Sequence, residues 1–294
     1  VAVHPGGYGF EHAVFFALAR DHDHGKFLEV HVQAQEAQKF HPVHVAQGGV
    51  HQHQVGVVVA EKVYGVGPGG ELQHLAGPQG LSHWGRLLLA LAGPLPFAVE
   101  LEELPFACTQ ILLPAFGGLE VTAFPLEHRV PCLGYRFSLP RAGRFLPAKA
   151  LLLEVPRSAW KELQQGSAVR LEDGRLVEPR LVLGPPRPGL SLVYATDTRA
   201  CASLEEAAAG TDLLVMDGTY ADEADAGKAA AYGHSTFAQS AALAARAGAK
   251  RLWLTHYGGA LTEPEKALAA AQAIFPAAEA GCDGLRTTLA FGER

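Results

Sequence analysis

An α/β fold is the class that this 294-residue sequence predicts. Three observations predict it. From about residue 119 onward, short apolar or alternating runs take turns with segments of helical pattern, which is the order of an α/β chain. Glycine (33) and proline (19) are frequent, which suits many turns and short elements and excludes a coiled coil or simple helical bundle. Apolar residues make up 48% of the chain, enough for the core of one large domain or two small ones.

The elements follow in order. Residues 13–20 read as helix and 55–60 as strand, and the glycine-rich stretch 65–70 reads as a loop. Residues 87–91 are an apolar helix or strand fragment. Residues 119–124 and 134–139 alternate as strands do, and 190–195 form a strand ending at Thr196-Asp197-Thr198. A helix is expected over 203–209, with Ser203 as its cap and Glu205 and Glu206 near its positive end. Residues 212–216 are a buried-type strand. Ser235 and Thr236 precede a helical run, 237–247, that stops at Gly248. A strand over 251–255, a helix over 263–274 and a last strand over 285–291 complete the pattern. No repeat of fixed period is present.

Charge and cysteine content narrow the function classes. Lys and Arg number 24 against 30 Asp and Glu, a formal net charge of -6, which gives no global signal for nucleic acid and leaves room only for local basic patches. Cys108, Cys132, Cys201 and Cys282 form no CxxC pair, so a reducing compartment, read as cytoplasmic, is expected rather than a disulfide scaffold. No apolar run approaches about 18 residues, the length a spanning helix needs, so no membrane partner is expected. No signal-peptide pattern is seen. The chain begins at Val1 rather than Met, which fits a trimmed or incomplete N-terminus.

Histidine marks a seam. Eleven of the 14 histidines lie before residue 84, in a stretch with four basic and seven acidic residues. A boundary is placed within residues 80–86, separating an atypical histidine-rich segment, 1–83, from residues 84–294. The first part is either poorly ordered or an irregular half of the fold.

Four residues of the second part share one feature. His128, Asp197 and His256 each follow a predicted strand, and His234 directly precedes a capped helix. Loops leaving strand ends form the rim of sites in α/β folds. Imidazole and carboxylate are the usual ligands of Zn²⁺ or Mn²⁺. A pair of such ions activates water and stabilises a leaving oxygen. His128, Asp197 and His256 would then be ligands, and His234 a proton donor or phosphate partner. Composition alone favours a structural or surface role over a ligand role for any one of these histidines.

Longer strings raise those odds. Phe124-Pro125-Leu126-Glu127-His128-Arg129-Val130-Pro131-Cys132-Leu133-Gly134-Tyr135-Arg136-Phe137 resembles the third metal-ligand motif of the ribonuclease Z family. Leu183-Gly184-Pro185-Pro186-Arg187-Pro188-Gly189, followed by Val193-Tyr194-Ala195-Thr196-Asp197-Thr198-Arg199, resembles the segment with its bridging aspartate. Tyr232-Gly233-His234-Ser235-Thr236 and Leu254-Thr255-His256 resemble its last two motifs. The order is the family's, with 69, 37 and 22 residues between the four positions. The resemblance covers roughly residues 86–294. It implies a metallo-β-lactamase-like αββα sandwich and a homodimer that cleaves precursor transfer RNA at its 3′ end with two Zn²⁺. His128 and His256 would each hold one zinc, with Asp197 between them, and His234 would act near the scissile phosphate. It also implies a substrate arm at about 141–182, where Arg144, Lys149, Arg157 and Lys161 would meet the phosphate backbone in a salt-dependent way.

The sequence departs from the family's pattern in places. The main metal motif, His-x-His-x-Asp-His, is absent; the nearest strings are Asp21-His22-Asp23-His24, His41-Pro42-Val43-His44 and His51-Gln52-His53. Residues 1–83 are therefore foreign to the fold through a wrong frame or gene start, or a diverged half that still supplies ligands, or a natural rearrangement without catalysis. Thr196 stands where the family has glycine. The family's His-Glu-Ala-Thr string reads Met216-Asp217-Gly218-Thr219, so Asp217 keeps a carboxylate for His234, one methylene shorter. Residues 158–163 look helical in the arm, which lacks a glycine–proline-rich tip. Cys132, Trp160, Trp253 and Tyr135 read as packing residues. Besides the nuclease, two readings stay open: another phosphodiesterase or esterase of the same fold, and a catalytically inactive homodimerising scaffold.

Overall fold

The computed structural model describes residues 13–22, 25–34, 57–61, 72–95, 98–111, 119–282 and 285–291. They form two compact units, one from the described parts of Val1–Ser138 and Ser191–Arg294, the other from Leu139–Leu190. The loop expected at 65–70 lies outside the described residues. In chain order the strands are β1 (Ala13–His22), β2 (Gly25–Ala34), β3 (Val57–Glu61), β4 (Leu72–Gly77), β5 (Ala98–Glu103), β6 (Thr109–Ile111), β7 (Glu120–Leu126), β8 (Cys132–Arg141), β9 (Val169–Arg170), β10 (Leu176–Val177), β11 (Arg187–Ala195), β12 (Leu213–Asp217), β13 (Leu252–Thr255), β14 (Ala278–Ala280) and β15 (Arg286–Ala290). The helices are α1 (Leu81–Ala92), α2 (Pro147–Leu152), α3 (Trp160–Gln164), α4 (Ala202–Ala207), α5 (Ala226–Tyr232), α6 (Phe237–Ala247) and α7 (Ala269–Ile274). None is long and apolar enough to cross a membrane.

The first unit is built on a seven-stranded sheet of order β14-β13-β12-β11-β8-β7-β6. β11, β12, β13 and β14 run parallel, and β6, β7 and β8 are antiparallel neighbours. Every residue of β12 is buried, as expected of a central parallel strand covered on both faces. Val193, Leu214, Met216, Leu252 and Leu254 share a core with Leu204 of α4, Phe237, Ala241 and Leu243 of α6, and Ala271 of α7. Leu192, Tyr194, Val215 and Trp253, at the alternate positions of the same strands, are also buried, so the sheet has two dry faces. Burying each such large apolar side chain contributes about 1.5–3 kcal/mol, which makes this sheet the rigid floor for its loops.

Two smaller sheets, β1-β2-β15 and β3-β4-β5, belong to the same unit. The helix expected over 13–20 is instead strand β1, paired with β2 along its whole length. An apolar run that short has no period to separate helix from strand, and the ladder decides. The boundary expected at 83/84 falls inside α1, and β4 before it pairs in parallel with β5 after it. Glu103, at the end of β5, accepts from Gly80 N at 3.1 Å and Ser82 N at 2.9 Å, filling the open amides at the start of α1.

Two further expectations are corrected. Ser203 does not cap α4: its hydroxyl donates to the Pro125 carbonyl at 2.6 Å, and Cys201 occupies the cap position. The helix expected over 263–274 is divided into a 3₁₀ turn, Pro264–Ala267, and α7, which starts at Ala269. The strands expected near 119, 134, 190, 212, 251 and 285 are β7, β8, β11, β12, β13 and β15.

The second unit has its own small core of Ala150, Val155, Leu163, Val177 and Val182, against which Phe145 and Trp160 pack. Gly184 N donates to Arg144 O at 2.7 Å, and Arg187 Nε to Ala142 O at 2.9 Å, closing its two ends. The residues expected to form the arm, 141–182, fall within it. Arg144, Lys149, Arg157 and Lys161 are all exposed there, with Arg157 over the Trp160 ring.

Candidate metal centre

Three parallel strands end level with one another. Ala195 of β11 pairs with Met216 of β12, and Asp217 at the end of β12 pairs with Thr255 of β13. Asp197, Asp217 and His256 therefore leave the sheet at one edge, the place where α/β sheets build sites. The turn after β7 joins them: Arg199 N donates to Glu127 O at 3.1 Å, and Glu127 N donates to Thr198 Oγ1 at 3.2 Å. This brings His128 to the same edge. The last member, His234, sits between the end of α5 and the start of α6.

Asp197 and His256 both hold left-handed backbone, with φ of 53° and 61°. Non-glycine residues adopt this region at a cost of roughly 1–3 kcal/mol, and such strain concentrates at functional sites. It turns the two side chains toward each other: His256 Nε2 lies 2.8 Å from Asp197 Oδ1. Thr219 Oγ1 anchors the strained histidine through its carbonyl at 3.0 Å.

His128 is oriented by Gly233, whose carbonyl lies 3.0 Å from Nδ1. A carbonyl only accepts, so Nδ1 carries the proton and Nε2 presents its lone pair. Burial pushes the His128 pKa below the usual histidine value, and a neutral imidazole is the form that ligates a metal.

His234 is held by Asp217, with Nδ1 to Oδ2 at 2.8 Å. Its ring stacks on His256 at 5.4 Å and lies 4.9 Å from His128. Asp217 is fully buried and already busy. Besides His234, it accepts from Thr198 N at 3.3 Å, Thr219 N at 3.0 Å and Ser235 N at 3.2 Å. With its lone pairs committed, it orients the imidazole, the supporting role that carboxylates take behind histidines in metal sites.

Ligand atoms of His128, Asp197 and His234 lie within 4.8 Å of one another, as do those of Asp217, His234 and His256. Nitrogen and carboxylate donors in this arrangement fit a divalent ion such as Zn²⁺. Cys132 stands beside them but packs instead: its thiol faces Thr196 O at 3.6 Å, and burial pushes its pKa up, away from the thiolate that would bind metal. All five expected residues thus converge. Sequence reasoning missed Thr198, Gly233 and Ser235. Thr198 and Ser235 stand beside chemistry-bearing residues inside the motifs, and only adjacency hinted at them.

Comparison with known proteins now bears on this edge. A family model described as "Beta-lactamase superfamily domain" matches residues 150–257. A ribonuclease Z from Lachnoclostridium phytofermentans is 38% identical over 215 residues, 73% of this chain and 69% of that protein. The chain belongs to the ribonuclease Z family. A second ribonuclease Z, from Lachnospira eligens, is 36% identical over 219 residues, covering 74% of this chain and 71% of the relative. Two solved structures are more distant. The metallo-beta-lactamase fold protein YhfI from Bacillus subtilis aligns at a TM-score of 0.45 and 15% identity, over 72% of this chain and 64% of its own. Human tRNase Z, short form, aligns at 0.43 and 20%, over 74% and 67%. The chain thus spans less than two thirds of the first of these structures. Membership of the ribonuclease Z family carries with it the α/β metallo-β-lactamase fold expected from the four motifs.

Proposed function

We propose that this chain is a zinc-dependent endoribonuclease that cuts precursor transfer RNA at its 3′ end, working as a cytoplasmic homodimer. One observation carries the reading: His128, Asp197, His234 and His256, scattered over 128 to 256 in the sequence, meet at one sheet edge with donor atoms a few ångströms apart. His128, Asp197 and His256 would hold the metal. When bound, it supplies an activated water and charge stabilisation at the leaving oxygen. Asp217 accepts from Nδ1 of His234 and leaves Nε2 for the cluster; in the imidazolium form Nε2 carries the proton that the departing 3′ oxygen takes. The exposed cations of Leu139–Leu190 would serve as the arm for the body of the RNA.

The test is cleavage of a 3′-extended precursor transfer RNA together with metal analysis. Asp197→Ala and His256→Ala should each abolish metal-dependent cleavage, and retained cleavage in either contradicts the assignment. His234→Ala should keep its metal and slow turnover by about 10²–10⁴-fold, the usual worth of a positioned acid. Loss of metal in that variant would show that its role is misassigned.

A second reading rests on a specific observation: the sequence holds no His-x-His-x-Asp-His string. Among the described residues, the donors brought together are those of His128, Asp197, Asp217, His234 and His256, of which Asp217 is already committed, and two ions need more. If residues 1–83 are foreign to the fold and supply none, the chain is a catalytically inactive homodimerising scaffold. About two tightly held ions per chain with cleavage favour the enzyme; one or none without cleavage favours the scaffold.

A further inference from the structure

Two cations stand beside the candidate centre in an unusual setting. Arg129 follows His128, and its guanidinium lies 5.0 Å from the Tyr232 ring. Lys228 Nζ lies 5.1 Å from the Tyr220 ring, which meets His234 edge-on at 6.5 Å. Lys228 and Tyr232 are four residues apart on α5, so they share one face of that helix. Tyr232 leads directly into Gly233 and His234.

Neither cation forms an ion pair with a carboxylate among the described residues. Arg199, Arg246, Lys250 and Arg251 of the same unit all do. The acids that open the neighbouring turn are engaged elsewhere: Asp222 accepts from Ala224 N, and Glu223 accepts from the Thr236 hydroxyl. An aromatic face holds a cation by about 0.5–1 kcal/mol without neutralising it, and leaves its N–H groups for another acceptor. The matching acceptor is a phosphate oxygen, for which such charge-assisted bonds are strong.

We propose that Arg129 and Lys228 grip phosphates next to the one positioned over His234, with Tyr232 and Tyr220 holding them in place. The ligand is therefore a nucleic-acid strand continuing past the centre, not an isolated phosphodiester. This rests on the ribonuclease reading and deepens it by assigning residues to the flanking phosphates.

The experiment compares Arg129→Gln and Lys228→Gln with Arg246→Gln, which removes a cation already paired with Glu205. Binding of a fluorescent 3′-extended transfer RNA is measured by anisotropy across a salt series. Each rim substitution should weaken binding about tenfold, the worth of one bond to a charged group. It should also lower the slope of log affinity against log salt by about 0.7–0.9. Arg246→Gln should change neither. Cleavage is then followed on the same RNA and on bis(p-nitrophenyl) phosphate, which carries a single phosphate. The ratio of kcat/KM for RNA to that for the small diester should fall about tenfold in the rim variants. An unchanged salt slope, or equal losses on both substrates, overturns the proposal. If the wild-type chain cleaves neither substrate, the enzymatic reading fails, while the binding arm still decides whether the two cations hold phosphate.

Discussion

Gly233 carries two duties at once. It ends α5 with φ of 78°, and its carbonyl fixes the His128 tautomer at 3.0 Å. A Cβ at this position would stand 2.8 Å from His128 Nδ1 and 3.1 Å from His128 Cα. Gly248 ends α6 in the same backbone region, φ 66°, with nothing near its missing Cβ. Gly233→Ala and Gly248→Ala should thus share a backbone strain of roughly 1–2 kcal/mol, read as a drop in urea midpoint that is larger for Gly233→Ala, where the new Cβ also meets His128. Only Gly233→Ala should also weaken zinc binding, measured by calorimetry, because only there must His128 move. Equal zinc affinity in the two variants would contradict the assigned role of that carbonyl. The residues that converge at the sheet edge were legible in the sequence, since His128, Asp197, His234 and His256 stand at strand ends or helix starts. What holds them was not. The four bonds converging on Asp217 and the left-handed turns at Asp197 and His256 depend on backbone angles that residue type does not declare for Asp or His.

At the level of elements, α6 shows how local chemistry fixes a site. Thr236 accepts from Gln239 N at 3.2 Å, and Gln239 Oε1 accepts from Thr236 N at 3.0 Å, a reciprocal cap that sets the first turn. His234 lies two residues before this cap, so the helix start and the imidazole are placed together. Thr236→Ala should lower stability by about 1 kcal/mol, and more if the Glu223 contact adds to the cap. A urea titration with an unchanged m-value checks it, and an unshifted midpoint would show that the cap contributes nothing. This helix was readable because its cap and its glycine stop are both sequence signals. β1 was not, because a short, largely apolar run becomes strand only through the partner it finds. The helix over 263–274 was legible only in part: a 3₁₀ turn, Pro264–Ala267, takes its first half, and α7 starts at Ala269.

Across the whole molecule, the parallel run β11-β12-β13 does the gathering. Its register carries Asp197, Asp217 and His256 to one edge, and no motif taken alone reveals that edge. The order of strands and helices made the α/β class visible from sequence. The two sides of the composition seam at 83/84 are joined by structure that composition does not show, since α1 runs through it and β4 pairs with β5 across it. The compact unit Leu139–Leu190 was anticipated from the resemblance as a substrate arm at about 141–182 with a helical piece at 158–163, but its core of Val155, Leu163 and Val182 was not, since it follows no single period. The account rests on these separated residues sharing a metal. Zinc affinity, measured by equilibrium dialysis on the whole chain and on its Asp197→Ala and His256→Ala variants, tests it most directly. Each substitution should weaken binding by at least about 100-fold, the upper end of what losing a merely supporting contact does; affinity untouched in both variants would mean that no metal is held there.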